Sequence, residues 1–175
     1  MKRLILIIPA LLIAAFVRAQ PDAIDQFFNK YADRDGFTTV TISGKLLGLF
    51  AGRSESKNEN DVINRLTSIK ILSVEDSTLN PAINFYRELG KKLDFSGYEE
   101  LMDVREGQDV TLFLIRQKGD RISELLVITG GPGGNSLISI RGDLDLKSLS
   151  ELSKDTGMDE LKDLEKINDK KPRYI

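Results

Sequence analysis

The sequence predicts an α+β domain in which an antiparallel-rich sheet of five to seven strands carries helices mainly on one face. The main observation lies between Tyr98 and Gly142, where four strand-like runs alternate with short glycine-containing connections, the pattern of an antiparallel meander. The connections are Glu106-Gly107-Gln108, Lys118-Gly119-Asp120 and the run from Gly130 to Gly134. The second observation is that apolar residues recur at helical spacing both before and after this region.

The segments ahead of the meander begin with a helix. Asp22 is a suitable N-cap, and an apolar face follows at the i, i+3, i+4, i+7 spacing. Its members are Ile24, Phe27, Phe28 and Tyr31. Phe37 to Ser43 then alternates as a half-buried strand does, and Lys45 to Phe50 predicts a short helix.

The chain from Ala51 onward is first polar, and its apolar residues then recur at regular spacing again. Ala51 to Asn60 predicts a surface loop, Asp61 caps a short helix through Ser68, and Ile69 to Glu75 predicts a strand. Asn80-Pro81 has the signature of a helix start. The apolar face of that helix consists of Ala82, Tyr86, Leu89 and Leu93.

The chain after the meander predicts two more amphipathic helices. Asp145 caps the first of them, and Gly157 separates the two. Their apolar residues are Leu146, Leu149, Leu152, Met158, Leu161 and Leu164.

The first 19 residues predict a secretory signal peptide. Lys2 and Arg3 precede an apolar run that ends at Val17, and Ala19 offers a small residue for cleavage. A run of about 14 apolar residues is too short for a membrane span, which needs roughly 20. We therefore expect a signal peptide at residues 1–19, a single domain at 20–165 and a polar tail at 166–175, in a periplasmic or secreted protein.

The amino-acid composition excludes several classes of function. Three of the 25 basic residues lie in the leader, so 22 remain against 27 acidic ones and the net charge is −5, which argues against nucleic-acid binding. The chain has no cysteine, so it lacks the thiol for a lipid anchor, and no histidine, so zinc sites and histidine triads are excluded. We predict no catalytic residue, metal ligand or cofactor.

Three motifs invite sharper interpretations. Gly130 to Asn135 resembles a phosphate-binding loop but leads into a strand, so we interpret it as a hairpin loop. Asp33 and Asp35 resemble the start of a calcium loop without its final glutamate, which favours a turn after a helix. The Ser-x-x-Lys motif from Ser54 to Lys57 lacks the companion motifs of penicillin-binding enzymes.

Two segments are candidate interaction surfaces. The first is an apolar ridge, for which burial in the core is the alternative. It consists of Leu46, Leu47, Leu49 and Phe50. The second is the glycine loop, represented by Gly131, Pro132 and Gly133.

The order of several short segments resembles domain-of-unknown-function family 4252, small exported proteins of Bacteroidota. These segments are Phe28 to Tyr31, Gly36 to Ser43, Tyr98 to Val104, Ile122 to Leu125 and Ile140 to Leu146. The family has no established activity, so the resemblance implies no site residues. It does imply an envelope protein with a role in signalling, because some relatives lie near genes for extracytoplasmic sigma-factor systems.

We therefore expect an exported, non-enzymatic binding or adaptor module with a protein partner in the envelope. One alternative is a hydrolase or sugar-active enzyme that uses two carboxylates, which suffice for glycoside cleavage. Another is a carrier for a small apolar ligand, held between the sheet and the helix that begins at Asn80.

Overall fold

The computed structural model of the protein describes residues 22–51, 62–93 and 95–145. Its helices are α1 (Ala23–Tyr31), α2 (Gly44–Ala51) and α3 (Phe85–Gly90), with 3₁₀ turns at Ser77–Ala82 and Phe95–Gly97. Its strands are β1 (Phe37–Ser43), β2 (Leu66–Val74), β3 (Glu99–Glu106), β4 (Asp109–Lys118), β5 (Arg121–Gly131) and β6 (Gly134–Leu144).

The six strands form one sheet in the order β1-β2-β6-β5-β4-β3, and every neighbouring pair is antiparallel. This confirms the predicted fold class, an α+β domain built around an antiparallel sheet. Strands β3 to β6 form the predicted meander, with Gly107 (φ +63°) and Gly119 (φ +64°) opening its first two turns. A glycine at the first position of a two-residue turn is typical of hairpins because positive φ is required there.

Apolar side chains cover both faces of the sheet. On one face, α1 and α3 pack their aromatic and leucine side chains over Leu126, Ile128 and Leu137. On the other face, Leu47 of α2 belongs to a core with Val127 and Ile138. The central strands β5 and β6 are therefore buried from both sides, and α1 and α3 share one side as the sequence predicts.

The start of α1 follows the predicted capping pattern. The Oδ1 atom of Asp22 accepts a hydrogen bond from the backbone N–H of Ile24 at 3.1 Å. The four apolar residues at helical spacing are all buried. Phe27, Tyr31, Phe37 and Phe85 then pack as an aromatic cluster with ring centroids 4.7 to 6.4 Å apart.

Two predicted helix boundaries are wrong. The helix predicted at Asn80-Pro81 begins at Phe85, where the Asn84 side chain caps it by accepting from the N–H of Arg87 at 2.8 Å. Asn80 instead lies in the 3₁₀ turn and accepts from the amide of Asn135 at 3.0 Å. Helical structure after residue 61 ends at residue 65, because Leu66 already pairs with β6.

Several predictions fall outside the described residues: the signal peptide, most of the loop after Ala51, the Ser54 motif and the helices after Asp145. The Asp33 and Asp35 segment forms a turn that contains Gly36 (φ +82°). Within the three described ranges, acidic side chains do not gather in groups of three that could hold a metal. None of the helices in those ranges has the length and apolarity needed to cross a bilayer.

The β5–β6 hairpin passes very close to the start of β4. A Cβ atom on Gly131 would lie 2.1 Å from Oδ1 of Asp109, and that oxygen accepts the N–H of Gly133 at 2.8 Å. A Cβ atom on Gly134, three residues later, would meet nothing within 4 Å. At Gly131 the requirement for glycine therefore arises from the contact with Asp109.

We predict that Gly131→Ala lowers the free energy of unfolding by about 1–3 kcal/mol, the usual cost of forcing an extra carbon into packed space. Gly134→Ala is the matched control and should change stability by less than about 0.5 kcal/mol. Urea denaturation of both variants measures the difference. Equal effects of the two substitutions would contradict this account of the hairpin.

Candidate functional site

The exposed large apolar side chains of the described residues lie on β1 and α2. Leu49 is 67% exposed, Leu46 43% and Val40 40%. Leu47, in contrast, is buried in the core at 9% exposure, and the side chain of Phe50 is outside the described part. The predicted ridge thus divides into two exposed leucines and one core leucine, because one side of α2 packs on the sheet.

Among the strands of the described residues, β1 lies at one edge of the sheet and pairs with β2. Its sequence, Phe37 to Ser43, contains no charged residue and no proline. Exposed edge strands usually carry charged residues or proline, because their unpaired N–H and C=O groups otherwise attract further strands. This edge and the leucines of α2 that follow it form a surface that we call the β1 edge: β1, Leu46 and Leu49.

The second predicted segment lies far from the first. Gly131 is buried, whereas Pro132 and Gly133 form the exposed turn between β5 and β6. Helix α2 begins after Ser43, which is aligned through Ser68 with Arg141 at the other end of β6. The two segments are therefore separated by the seven residue steps from Gly134 to Arg141 along β6, about 23 Å, and do not form one surface.

A buried carboxylate network occupies the end of the sheet near Arg141, on the face that carries α1. Glu124 is only 2% exposed. Its carboxylate accepts hydrogen bonds from Nε of Arg141 at 2.7 Å, from Ser139 Oγ at 2.8 Å and from the Tyr98 hydroxyl at 2.8 Å. A buried charge is tolerated when it is paired and hydrogen-bonded in this way.

The network continues to the first turn of α1. Arg141 also contacts Asp25 at 3.1 Å and Asp22 at 2.9 Å, and Lys70 contacts Asp25 at 2.8 Å. Burial raises the pKa of Asp25, but hydrogen bonds from Lys70 and Arg141 outweigh it, so that pKa lies below its usual value. This network, which we call the Glu124 network, ties α1 to strands β2, β5 and β6.

Burial and the neighbouring charge of Glu124 also act on Tyr98. Both effects raise the pKa of its hydroxyl well above the ordinary value, so Tyr98 remains a neutral donor to Glu124. Arg116 stacks on the Tyr98 ring, with its guanidinium carbon 4.4 Å from the ring centroid. These contacts hold the segment that leads into β3 against the sheet.

A groove lies on the same face, between α3 and strand β4. It has a volume of about 460 Å³. Its apolar wall consists of Tyr86, Phe95, Tyr98, Leu112 and Leu114, and Arg87 and Glu100 also line it. We call it the α3 groove, and its size is within the range of small-molecule sites.

The fold and these surfaces define a small antiparallel sheet domain in which the Glu124 network joins helix α1 to the sheet. Residues 31–152 match the model of the family described as a domain of unknown function, DUF4252. The match spans most of the chain, so the protein belongs to this family, as the order of its segments predicts. Neither the curated proteins nor the solved structures contain a match to the chain.

We predict that Glu124→Gln lowers the free energy of unfolding by roughly 3 kcal/mol, because it removes the buried charge that faces Arg141. Asp143→Asn is the control, since Asp143 pairs with Arg121 but is 65% exposed, and it should change stability far less than Glu124→Gln. Chemical denaturation of the two variants measures both values. Similar losses would contradict a special role of the Glu124 network.

Proposed function

We propose that the protein is an exported, non-enzymatic binding module of the cell envelope that binds a partner protein at the β1 edge. The observation that carries this proposal is the position of Val40, Leu46 and Leu49, the large apolar side chains exposed in the described part, on consecutive elements at an uncharged sheet edge. A link to envelope signalling follows from the family resemblance.

The chemistry of the β1 edge suits an extended peptide. A strand added beside β1 would satisfy its outward N–H and C=O groups, which supplies affinity for any sequence. Alternate side chains of that strand would then meet Val40 and its neighbours, and the leucines of α2 would cover apolar side chains beyond the strand. The partner is therefore expected to offer an extended segment with apolar residues.

The carboxylates of the described residues favour binding over catalysis. A glycosidase acid needs a pKa raised by an apolar setting. Hydrogen bonds from Lys30, Tyr31 and Lys92 outweigh burial at Glu88 and lower its pKa to about 2. The Glu124 carboxylate is 2% exposed and is bonded to Arg141, Ser139 and Tyr98, so it does not face a substrate cleft.

We predict that a photo-crosslinking amino acid at position 40 or 49 captures the same envelope protein in intact cells. The control is the same amino acid at position 106, since Glu106 lies on β3 at the opposite edge. Mass spectrometry of the adducts identifies the partner. Capture should fall at least tenfold when Val40→Lys is combined with the probe at position 49, because an edge lysine disfavours strand addition.

The contradicting outcomes are equally specific. An adduct formed as strongly from position 106 would show contact without preference for the β1 edge. A chain that forms no adduct from positions 40 and 49 would remove the basis of the adaptor proposal.

The α3 groove supports a second candidate function, the carriage of a small apolar ligand. The helix that begins at Phe85 lies beside a groove of about 460 Å³ that contains aromatic rings and leucines. This volume exceeds the roughly 300 Å³ that a ligand site needs. The groove lies at the side of α3, since Phe85 and Leu89 themselves are fully buried.

We predict that the neutral dye N-phenyl-1-naphthylamine binds the protein with increased fluorescence and that Gly90→Leu abolishes the increase. Gly90 lines the groove, and its added side chain would extend toward Phe95, whose ring is 3.9 Å from the position of a Cβ atom. Gly97→Leu is the control, because a Cβ atom there meets nothing within 4 Å. Equal dye binding by both variants would exclude the groove.

A further inference from the structure

A row of hydroxyl groups crosses the sheet on the face opposite α1 and α3. The strand registers align five residues, one from each of five neighbouring strands. They are Thr38, Ser73, Ser136, Thr129 and Thr111. Side chains of aligned residues point to the same face, so the row is continuous.

The middle of this row lines a cleft of about 410 Å³. Ser73, Ser136 and Thr129 line it from three adjacent strands, and Asp109 and Gly133 line its end at the β5–β6 turn. The cleft therefore shares its border with the glycine loop that the sequence singles out. It does not include the residues of the β1 edge or of the α3 groove.

Ser136 is the unusual member of the row. It is 7% exposed, and its buried Oγ atom has no hydrogen-bond partner among the described residues. Its neighbours are engaged, since Ser73 donates to Glu75 at 2.7 Å and the hydroxyl oxygens of Thr111 and Thr129 are 3.2 Å apart. Because an unpaired buried hydroxyl destabilises the free protein, a ligand hydroxyl that paired with Ser136 would add to the affinity of the cleft.

The border of the cleft is held rigidly. The Asn135 side chain donates to Asn80 and to the carbonyl oxygen of Gly131, both at 3.0 Å, and accepts from the N–H of Phe85 at 2.9 Å. Asp109 accepts from the N–H of Gly133 at 2.8 Å through one oxygen. Since the side chains at the turn are fixed before binding, a ligand does not bear the cost of ordering them.

The charge of the cleft selects among polar ligands. Asp109 lines it, Glu75 binds Ser73 at its border, and the described residues that line it include no lysine or arginine. Phosphates and carboxylates would be repelled, whereas neutral hydroxyl groups can donate to the carboxylate and exchange hydrogen bonds with Ser and Thr. We infer that the cleft binds a neutral saccharide through Ser136, Thr129 and Asp109.

The test is binding of the purified full chain to an array of neutral and anionic glycans, followed by calorimetric titration of the strongest soluble saccharide. We expect neutral glycans to bind and Ser136→Ala to weaken the titrated affinity at least tenfold. Thr129→Val, which keeps the side-chain shape and removes the hydroxyl, should weaken it similarly.

Thermal unfolding separates ligand binding from folding. Ser136→Ala should leave the unfolding midpoint unchanged or raise it, since it deletes an unpaired hydroxyl. The control Ser123→Ala removes a hydroxyl that donates to the carbonyl of Arg116 at 2.9 Å, so it should lower the midpoint and leave saccharide affinity intact. Loss of binding without loss of stability is the signature of a ligand-facing hydroxyl.

Three results would overturn the inference: no glycan binds, only anionic glycans bind, or Ser136→Ala binds as well as the parent chain. None of them bears on the β1 edge, whose partner is detected by crosslinking at other residues. The two proposals therefore fail or succeed independently.

Discussion

Burial of both faces of β5 and β6 is the constraint on which the rest of the structure depends. Leu125, Leu126, Val127 and Ile128 follow one another along β5 and are all at most 1% exposed. Because successive side chains of a strand point to opposite faces, such a run requires cover on both sides. Strands β5 and β6 must therefore be central, and the less buried strands β1 and β3 become the edges.

The same constraint means that the polar residues of the central strands depend on partners within the protein or in a ligand. Glu124, Ser136 and Ser139 are all at most 7% exposed. Glu124 and Ser139 bond to each other and the carboxylate also pairs with Arg141, so this polar group is internally satisfied. Ser136 has no such partner among the described residues, and this contrast distinguishes a stabilising network from the hydroxyl group that the proposed ligand would contact.

Local signals predicted the parts of the fold that depend on neighbours in sequence. The cap and apolar face of α1 and the glycine turns of the meander are set within a few residues, so they could be read directly. The start of α3 could not, because the Asn80 side chain binds Asn135, 55 residues away, and leaves the capping role to Asn84. The division of the apolar ridge also depended on tertiary packing, since Leu47 faces the core while Leu46 and Leu49 do not.

The polar clusters were missed for a related reason, although the sequence contains a usable signal. Glu124 interrupts an apolar strand, and pairing the predicted strands as a meander aligns it with Arg116 on one side and Arg141 on the other. The same alignment places Thr111, Thr129 and Ser136 in one row. Side-chain partners from α1 and from Tyr98 could not be found this way, because no local rule sets where those segments cross the sheet.

The hydroxyl row also relates the two proposed binding regions to each other. Thr38 ends the row on β1, the strand to which a partner segment would add. An added strand would place one of its own side chains beside Thr38, about 4.8 Å further along the row. Partner and saccharide would then approach the same face from different directions, and a long saccharide that extends from Ser136 past Ser73 would reach the partner strand. Simultaneous binding would then be governed by saccharide length, since Ser73 of β2, which lines the cleft, is aligned with Thr38 of β1.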